Sequence, residues 1–122
     1  MGVRVLIADD HRLFAEALEA ILATDDRIEL VGLASDGEEA VRLAGERRPD
    51  VILMDISMPL MDGIEAAKAI SSLDREVSIL ILTGSNARSD VDAARQAGAA
   101  GYVTKDRIAA ELVEAIIKVA GR

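Results

Sequence analysis

Short apolar runs alternate with amphipathic stretches along the whole sequence, and this alternation limits the possible folds more than any other feature. The runs cover residues 3–8, 28–34, 51–54, 79–82 and 100–104. Those at 3–8, 51–54 and 79–82 are apolar at nearly every position, which is typical of strands covered on both faces in a parallel sheet. The run at 28–34 partly alternates, which is typical of an edge strand. The sequence therefore predicts five strands.

Between the runs, apolar residues recur at the spacing of amphipathic helices. The predicted helix faces are, in chain order, Leu13, Ala17, Leu18, Ile21 and Leu22; Ala40, Val41, Leu43 and Ala44; Ile64, Ala67, Ile70 and Ser71; Val91, Ala94 and Arg95; and Ile108, Leu112, Ala115, Ile116 and Val119. Ser35 with Glu38, and Ser89 with Asp92, predict capped starts of the second and fourth helices. Gly98 is predicted to end the fourth helix.

Five strands alternating with five helices predict an α/β fold with a parallel sheet and right-handed crossovers. We expect residues 1–122 to form one domain. The predicted architecture is a doubly wound (βα)5 fold of the flavodoxin-like type, with strand order 2-1-3-4-5. In such folds, ligands bind outside the carboxyl ends of the strands, so the polar residues just past each strand become the candidate site.

Five polar residues follow the predicted strands and should meet at one rim of the sheet. Asp9 and Asp10 follow the first strand and Asp55 the third, while Thr83 and Lys105 follow the fourth and fifth. Crowded carboxylates are tolerable around a hard divalent cation such as Mg²⁺. A carboxylate nucleophile, a metal, a lysine and a hydroxyl together suit phosphoryl transfer through an aspartyl phosphate.

Composition excludes several other kinds of function. The net charge of −8 disfavours direct contact of this domain with nucleic acid. The sequence has no cysteine, which excludes thiolate chemistry and is compatible with the cytoplasm, where we expect the protein to act. No apolar run approaches the ~18 residues of a membrane span, and the N-terminus lacks signal-peptide features, so we expect no membrane association.

At the predicted rim, the sequence resembles the receiver domains of two-component response regulators over essentially its whole length. The motifs are Asp9-Asp10, the stretch 55–59 (Asp-Ile-Ser-Met-Pro) with Asp62-Gly63, Thr83, and Gly101-Tyr102 before Lys105. The stretches 8–11 and 99–106 are most similar to the NarL/LuxR/FixJ subfamily. Members of that subfamily usually carry a helix-turn-helix DNA-binding domain after the receiver. We expect this chain to be either a receiver from such a longer regulator or a stand-alone one.

The resemblance implies a role for each motif residue. Asp55 would accept the phosphate, and Lys105 would contact the phosphoryl group. Asp10 and Asp55 would bind Mg²⁺ directly, with Mn²⁺ as a possible substitute, while Asp9 would assist and the backbone carbonyl of Ser57 would complete the ligand set. Thr83 would move to the phosphoryl group, and Tyr102 would turn inward as it does so.

The resemblance also implies partners and a mode of action. A sensor histidine kinase would supply the phosphate, and phosphorylation could produce a homodimer. The domain would be a regulator and not a classical enzyme, although its own residues would catalyse phosphate uptake and loss. The switch would control transcription through a DNA-binding domain outside this chain.

Three alternatives compete with a phosphorylation switch. A pseudo-receiver would keep the fold without taking phosphate, but such modules usually lack one of the acidic residues or the lysine. A flavodoxin-like electron carrier would need a phosphate-binding loop after the first strand, where this chain has Asp9-Asp10-His11. An aspartyl-phosphate phosphatase would need a carboxylate two residues beyond its nucleophile, where this chain has Ser57. His11 itself is interpreted as a capping or surface residue and not as a metal ligand.

Overall fold

The sheet has the predicted number and order of strands. The computed structural model describes residues 2–56, 63–73, 77–84, 88–96 and 98–121. The strands are β1 (Val3–Ala8), β2 (Ile28–Ala34), β3 (Val51–Asp55), β4 (Ser78–Thr83) and β5 (Gly101–Thr104). All neighbouring strands are parallel, and their order is β2-β1-β3-β4-β5. The predicted flavodoxin-like α/β architecture is confirmed, and each strand begins and ends within one residue of its predicted bounds.

In the described part of the chain, four α-helices connect the strands and a fifth follows β5. They are α1 (Arg12–Ala23), α2 (Gly37–Arg47), α3 (Gly63–Leu73), α4 (Arg88–Gln96) and α5 (Ile108–Val119), and a 3₁₀ turn at Lys105–Arg107 precedes α5. Within the described ranges, no helix is both long enough and apolar enough to cross a lipid bilayer.

Two apolar clusters cover the two faces of the sheet. Alternate residues of β1 and β3 point to opposite faces, as the period of a strand requires. Leu6 and Ile52 pack in the cluster that α2 and α3 cover, whereas Ile7 and Leu53 pack in the cluster that α1 and α5 cover. Because both faces of the central strands are buried, these strands are apolar at nearly every position.

The buried face of α1 agrees with the predicted one at Leu18 and Leu22 and differs at two other positions. Leu13, which was predicted to be buried, is 83% exposed, and Ala17 is also exposed. The residues of α1 that are buried are Ala15, Leu18 and Leu22. These three follow the i, i+3, i+7 spacing of a single helix face, and Leu13 lies roughly 140° around the helix from Leu18 at 3.6 residues per turn.

The start of α2 is capped one residue later than predicted. Asp36, and not Ser35, is the N-cap residue, and its side chain accepts a hydrogen bond of 2.8 Å from the backbone N–H of Glu39. Glu39 in turn accepts from the backbone N–H of Ser35 at 2.7 Å. A carboxylate caps as well as a hydroxyl, so the sequence pattern was compatible with either position.

The prediction for α4 is wrong at the start of the helix and confirmed at its end. Ser89 was predicted to precede the helix, but α4 begins at Arg88, which places Ser89 inside it. At the other end, Gly98 has a φ of 99° and donates its backbone N–H to the carbonyl of Arg95 at 3.0 Å. The left-handed conformation after the helix confirms the predicted glycine terminator.

An ion-pair network joins the α1–β2 turn to α5. Arg27 contacts Asp25 and Glu114, each at 2.8 Å. The hydrogen bonds from Arg27 to Asp25 lower the pKa of that carboxyl to about 2. The pair is therefore fully ionised at neutral pH, and it links segments that lie 87 residues apart.

Two substitutions test which face of α1 is buried. Leu18→Ala should lower the free energy of unfolding by roughly 2–5 kcal/mol, because it empties space in the core. Leu13→Ala, on the exposed side of the same helix, should change it by no more than about 0.5 kcal/mol. Urea unfolding followed by circular dichroism measures both values, and equal losses would contradict this orientation of α1.

Candidate functional site

The carboxyl edge of the sheet brings four of the predicted site residues to neighbouring strands. Asp55 and Thr83 are the last residues of β3 and β4, while Asp9 and Lys105 directly follow β1 and β5. The backbone ladder continues past two strand ends, because Asp9 donates to Ala34 at 2.9 Å and the N–H of residue 56 donates to Leu82 at 3.1 Å. The backbone at the base of the site is therefore held by the sheet itself.

Polar side chains are buried at this edge. Among the residues whose burial is described, the buried polar or charged ones are Asp9 (3% exposed), Asp55 (2%) and Thr83 (3%). Asp10 remains exposed. Removing a carboxylate from water is unfavourable unless a cation or hydrogen-bond donors compensate it. Two buried carboxylates at one edge thus identify this position as the candidate functional site.

Four side chains converge closely enough to hold a metal ion. One ligand atom from each of Asp9, Asp10, His11 and Asp55 can be chosen such that all lie within 4.8 Å of one another. One oxygen of Asp9, Oδ1, accepts the backbone N–H of His11 at 2.8 Å. The other, Oδ2, is buried and has no hydrogen-bond partner among the described residues. A buried anionic oxygen of this kind, beside further carboxylates, fits a hard divalent cation that prefers oxygen ligands.

Lys105 supplies a positive charge on the other side of Asp55. Its Nζ lies 3.5 Å from Asp55 Oδ1. The same ammonium lies 4.7 Å from the centre of the Phe14 ring, within the range of a cation–π interaction. Phe14 comes from α1 and Lys105 from the turn after β5, so the aromatic ring holds the lysine from a separate element.

His11 and Phe14 are site residues that the sequence pattern did not identify. His11 occupies the N-cap position of α1 but makes no side-chain capping hydrogen bond. Its Nδ1 instead lies 3.4 Å from Asp9 Oδ1, 3.2 Å from Asp10 Oδ1 and 3.8 Å from Asp55 Oδ2. The signal for His11 was its position next to Asp9-Asp10. Phe14 carried no signal beyond being one of two aromatic residues in the chain.

One predicted site residue, Tyr102, stands apart from this cluster. Tyr102 is 41% exposed and lines a cavity of about 390 Å³ together with Val91, Arg95 and residues 99–101. This cavity lies between α4 and β5. Ser57, whose backbone carbonyl was predicted as a metal ligand, lies outside the described residues, as do Met58, Pro59 and Asp62.

A doubly wound parallel sheet with buried carboxylates, a lysine and a hydroxyl at its carboxyl edge defines a receiver-type signalling domain. Residues 5–117 match the family described as the response regulator receiver domain. The chain belongs to this family.

Relatives and solved structures agree with that assignment. The transcriptional regulatory protein LiaR of Bacillus subtilis is 46% identical over 114 residues, which are 93% of this chain and 54% of LiaR. The receiver domain of NarL from Mycobacterium tuberculosis superposes with a TM-score of 0.94 at 37% identity, covering 98% of this chain and 97% of that one. The chain spans about half the length of the curated relatives it matches.

A second similar structure holds a metal. The receiver domain of a sensor histidine kinase from Pseudomonas aeruginosa has a magnesium ion coordinated in its active-site cleft. It superposes with a TM-score of 0.88 at 31% identity, and all of both chains is covered. The receiver fold thus occurs in kinases as well as in regulators of transcription.

Removing one buried charge should stabilise the metal-free protein. In Asp9→Asn, the amide oxygen can still accept the N–H of His11, and an NH₂ group replaces a negative oxygen beside other carboxylates. We expect the free energy of unfolding, measured in urea with a chelator present, to rise by roughly 0.5–2 kcal/mol. Asp26→Asn, at an exposed acid outside the site, should leave it nearly unchanged. A loss of stability in Asp9→Asn would show that charge crowding is not the dominant interaction there.

Proposed function

We propose that this chain is the phosphoacceptor domain of a two-component response regulator, acting in the cytoplasm, and that Asp55 accepts the phosphoryl group. One observation carries the proposal: the buried Asp55 carboxylate has Lys105 at 3.5 Å, beside the carboxylates of Asp9 and Asp10. A carboxylate placed between a cation site and an ammonium can attack a phosphorus atom while the charge that develops is neutralised on both sides.

The proposed transfer uses the residues of the carboxyl edge. A carboxylate oxygen of Asp55 attacks the phosphorus of a phosphohistidine on a sensor histidine kinase. The P–N bond breaks as the P–O bond forms, and the freed imidazole of the kinase takes up a proton. Lys105 holds a phosphoryl oxygen, and the Thr83 hydroxyl donates a hydrogen bond to another. The product is an acyl phosphate on Asp55, whose hydrolysis by water resets the domain.

The acidic side chains fit a magnesium ion, with Mn²⁺ as a substitute. Asp10 and Asp55 would bind the ion directly, Asp9 would assist, and the carbonyl of Ser57 would be a further ligand. When bound, the metal neutralises charge on the phosphoryl oxygens. The buried Oδ2 of Asp9 and the magnesium ion in the similar Pseudomonas aeruginosa receiver support this assignment.

The proposed output is a change at the α4–β5 surface. Thr83 moves toward the phosphoryl group, and Tyr102 turns inward from its exposed position. By similarity to LiaR and NarL, the signal controls transcription through a DNA-binding domain outside the 122 residues, and this domain itself does not contact nucleic acid. A homodimer formed on phosphorylation stays a prediction of the family resemblance.

A pseudo-receiver is the second candidate. It would share the fold, and Tyr102 and the nearby cavity would serve as a constitutive binding surface. The presence of Asp9, Asp10, Asp55 and Lys105 favours a phosphoacceptor domain over a pseudo-receiver. A module without phosphotransfer has no need to bury like charges together.

Acetyl phosphate tests the assignment of Asp55. Incubation with Mg²⁺ should add one phosphoryl group to the intact mass of the protein, and omission of Mg²⁺ should prevent it. Asp55→Asn should remain unmodified because it has no carboxylate nucleophile. Asp26→Asn serves as the matched control and should be modified at the wild-type rate.

Two results would contradict this proposal. Equal modification of Asp55→Asn and the wild type would place the acceptor elsewhere. Many receivers take phosphate only from their own kinase. If the wild type is not modified by acetyl phosphate, the binding of beryllofluoride, which mimics the phosphoryl group, is measured next. Failure to bind beryllofluoride with Mg²⁺ would favour the pseudo-receiver.

Phe14 should influence the transfer through Lys105. A cation–π contact contributes about 0.5–2 kcal/mol depending on exposure, so its loss in Phe14→Leu should slow phosphate uptake by roughly 2- to 30-fold. Phe14→Tyr keeps an aromatic ring and should stay near the wild-type rate. The initial rate of phosphorylation by acetyl phosphate measures both variants. An equal loss in the two variants would mean that packing, and not the ring, sets the rate.

A further inference from the structure

The imidazole of His11 lies among the carboxylates of the acidic edge. Its Nδ1 is 3.2–3.8 Å from one oxygen of each of Asp9, Asp10 and Asp55. The ring is two-thirds exposed, so solvent and ions reach it. His11 is the only histidine of the chain, and its ring does not serve as a helix cap.

These separations match those between neighbouring ligands of one metal ion. Two ligands bound at about 2.1 Å and at right angles lie roughly 3.0 Å apart, and opposite ones roughly 4.2 Å apart. The four atoms at the edge all lie within 4.8 Å of one another, so shifts of a few tenths of an ångström would complete the coordination. The buried Oδ2 of Asp9, which has no hydrogen-bond partner among the described residues, independently indicates a cation at this place.

The backbone favours this position of the ring. The N–H of His11 donates to Asp9 Oδ1 at 2.8 Å, which ties residue 11 to a candidate ligand two residues earlier. Because α1 begins at the next residue, the start of the helix also limits where the ring can go. The His11 side chain would therefore lose little conformational freedom on binding a metal ion.

We propose that His11 is a nitrogen ligand of imidazole-binding cations such as Co²⁺ and Zn²⁺ at the acidic edge, and that it strengthens their binding relative to that of Mg²⁺. The inference rests on the proposed function, since it places the cation at the Asp9–Asp10–Asp55 cluster. Imidazole nitrogen suits late first-row metals, whereas Mg²⁺ prefers oxygen and keeps several waters. His11 should thus strengthen Co²⁺ binding and leave Mg²⁺ binding nearly unaltered.

Co²⁺ is the probe, because it reports on its ligands. Tag-free full chain is titrated with Co²⁺ and separately with Mg²⁺ by calorimetry at one mildly alkaline pH. His11→Ala should weaken Co²⁺ binding about tenfold or more, as loss of interactions at a metal site typically does, and should change Mg²⁺ affinity less than about twofold. Leu13→Ala, an exposed neighbour in α1, is the matched control and should bind both ions like the wild type.

Proton NMR of the Co²⁺-loaded protein gives a second readout. A metal-bound imidazole shows a strongly shifted, exchangeable ring N–H signal, which in this chain can come only from His11. The signal should be present in the wild type and in Leu13→Ala, and absent from His11→Ala.

The outcomes separate the two proposals. Equal Co²⁺ affinities of the wild type and His11→Ala, with no shifted signal in either, would overturn the role of His11 while leaving Mg²⁺ binding and phosphorylation of Asp55 intact. A wild type that binds neither ion would overturn the metal site itself, and with it this inference.

Discussion

Several carboxylates lie together at one end of the sheet and repel one another. The rest of the structure has to hold them there against this repulsion. Asp9 and Asp55 are almost fully buried, and Asp10 lies beside them. Such a cluster would spread apart if the backbone allowed it. The backbone does not allow it, because β1 and β3 are paired in parallel and are buried on both faces. The burial of the apolar clusters on the two sides of the sheet thus offsets the repulsion between the carboxylates at its edge.

The ammonium of Lys105 and the aromatic ring that it contacts come from different elements of the fold. Lys105 begins the turn that leads into α5, and Phe14, beneath its ammonium, belongs to α1. Both helices cover the same face of the sheet. Substitutions that shift α1 on the sheet should therefore move Phe14 and, through it, the ammonium of Lys105, even though they alter no carboxylate. The geometry of the charged edge depends on how well that apolar layer packs.

The strands, and the position of most candidate site residues at one edge of the sheet, were predictable from the sequence for a physical reason. A strand buried on both faces must be apolar throughout, and parallel strands must end at one edge, so Asp9, Asp55, Thr83 and Lys105 could be placed together. The prediction for α1 was right for Leu18 and Leu22 and wrong for Leu13, which is apolar but exposed. The positions of His11 and the Phe14 ring depend on side-chain directions at the start of a helix, which spacing alone does not determine.

The register of the sheet indicates how a change at Asp55 would reach the surface near Tyr102. Thr83 is paired with Thr104, the residue before Lys105, and Ile81 is paired with Tyr102. The residues proposed to hold the phosphoryl group, Thr83 and Lys105, therefore lie at the ends of two paired neighbouring strands. Tyr102 and Thr104 point to the same side of β5, because side chains two residues apart share a face. A movement of Thr83 would have only one strand to cross before it altered the packing around Tyr102, so the proposed switch requires no rearrangement of the central strands.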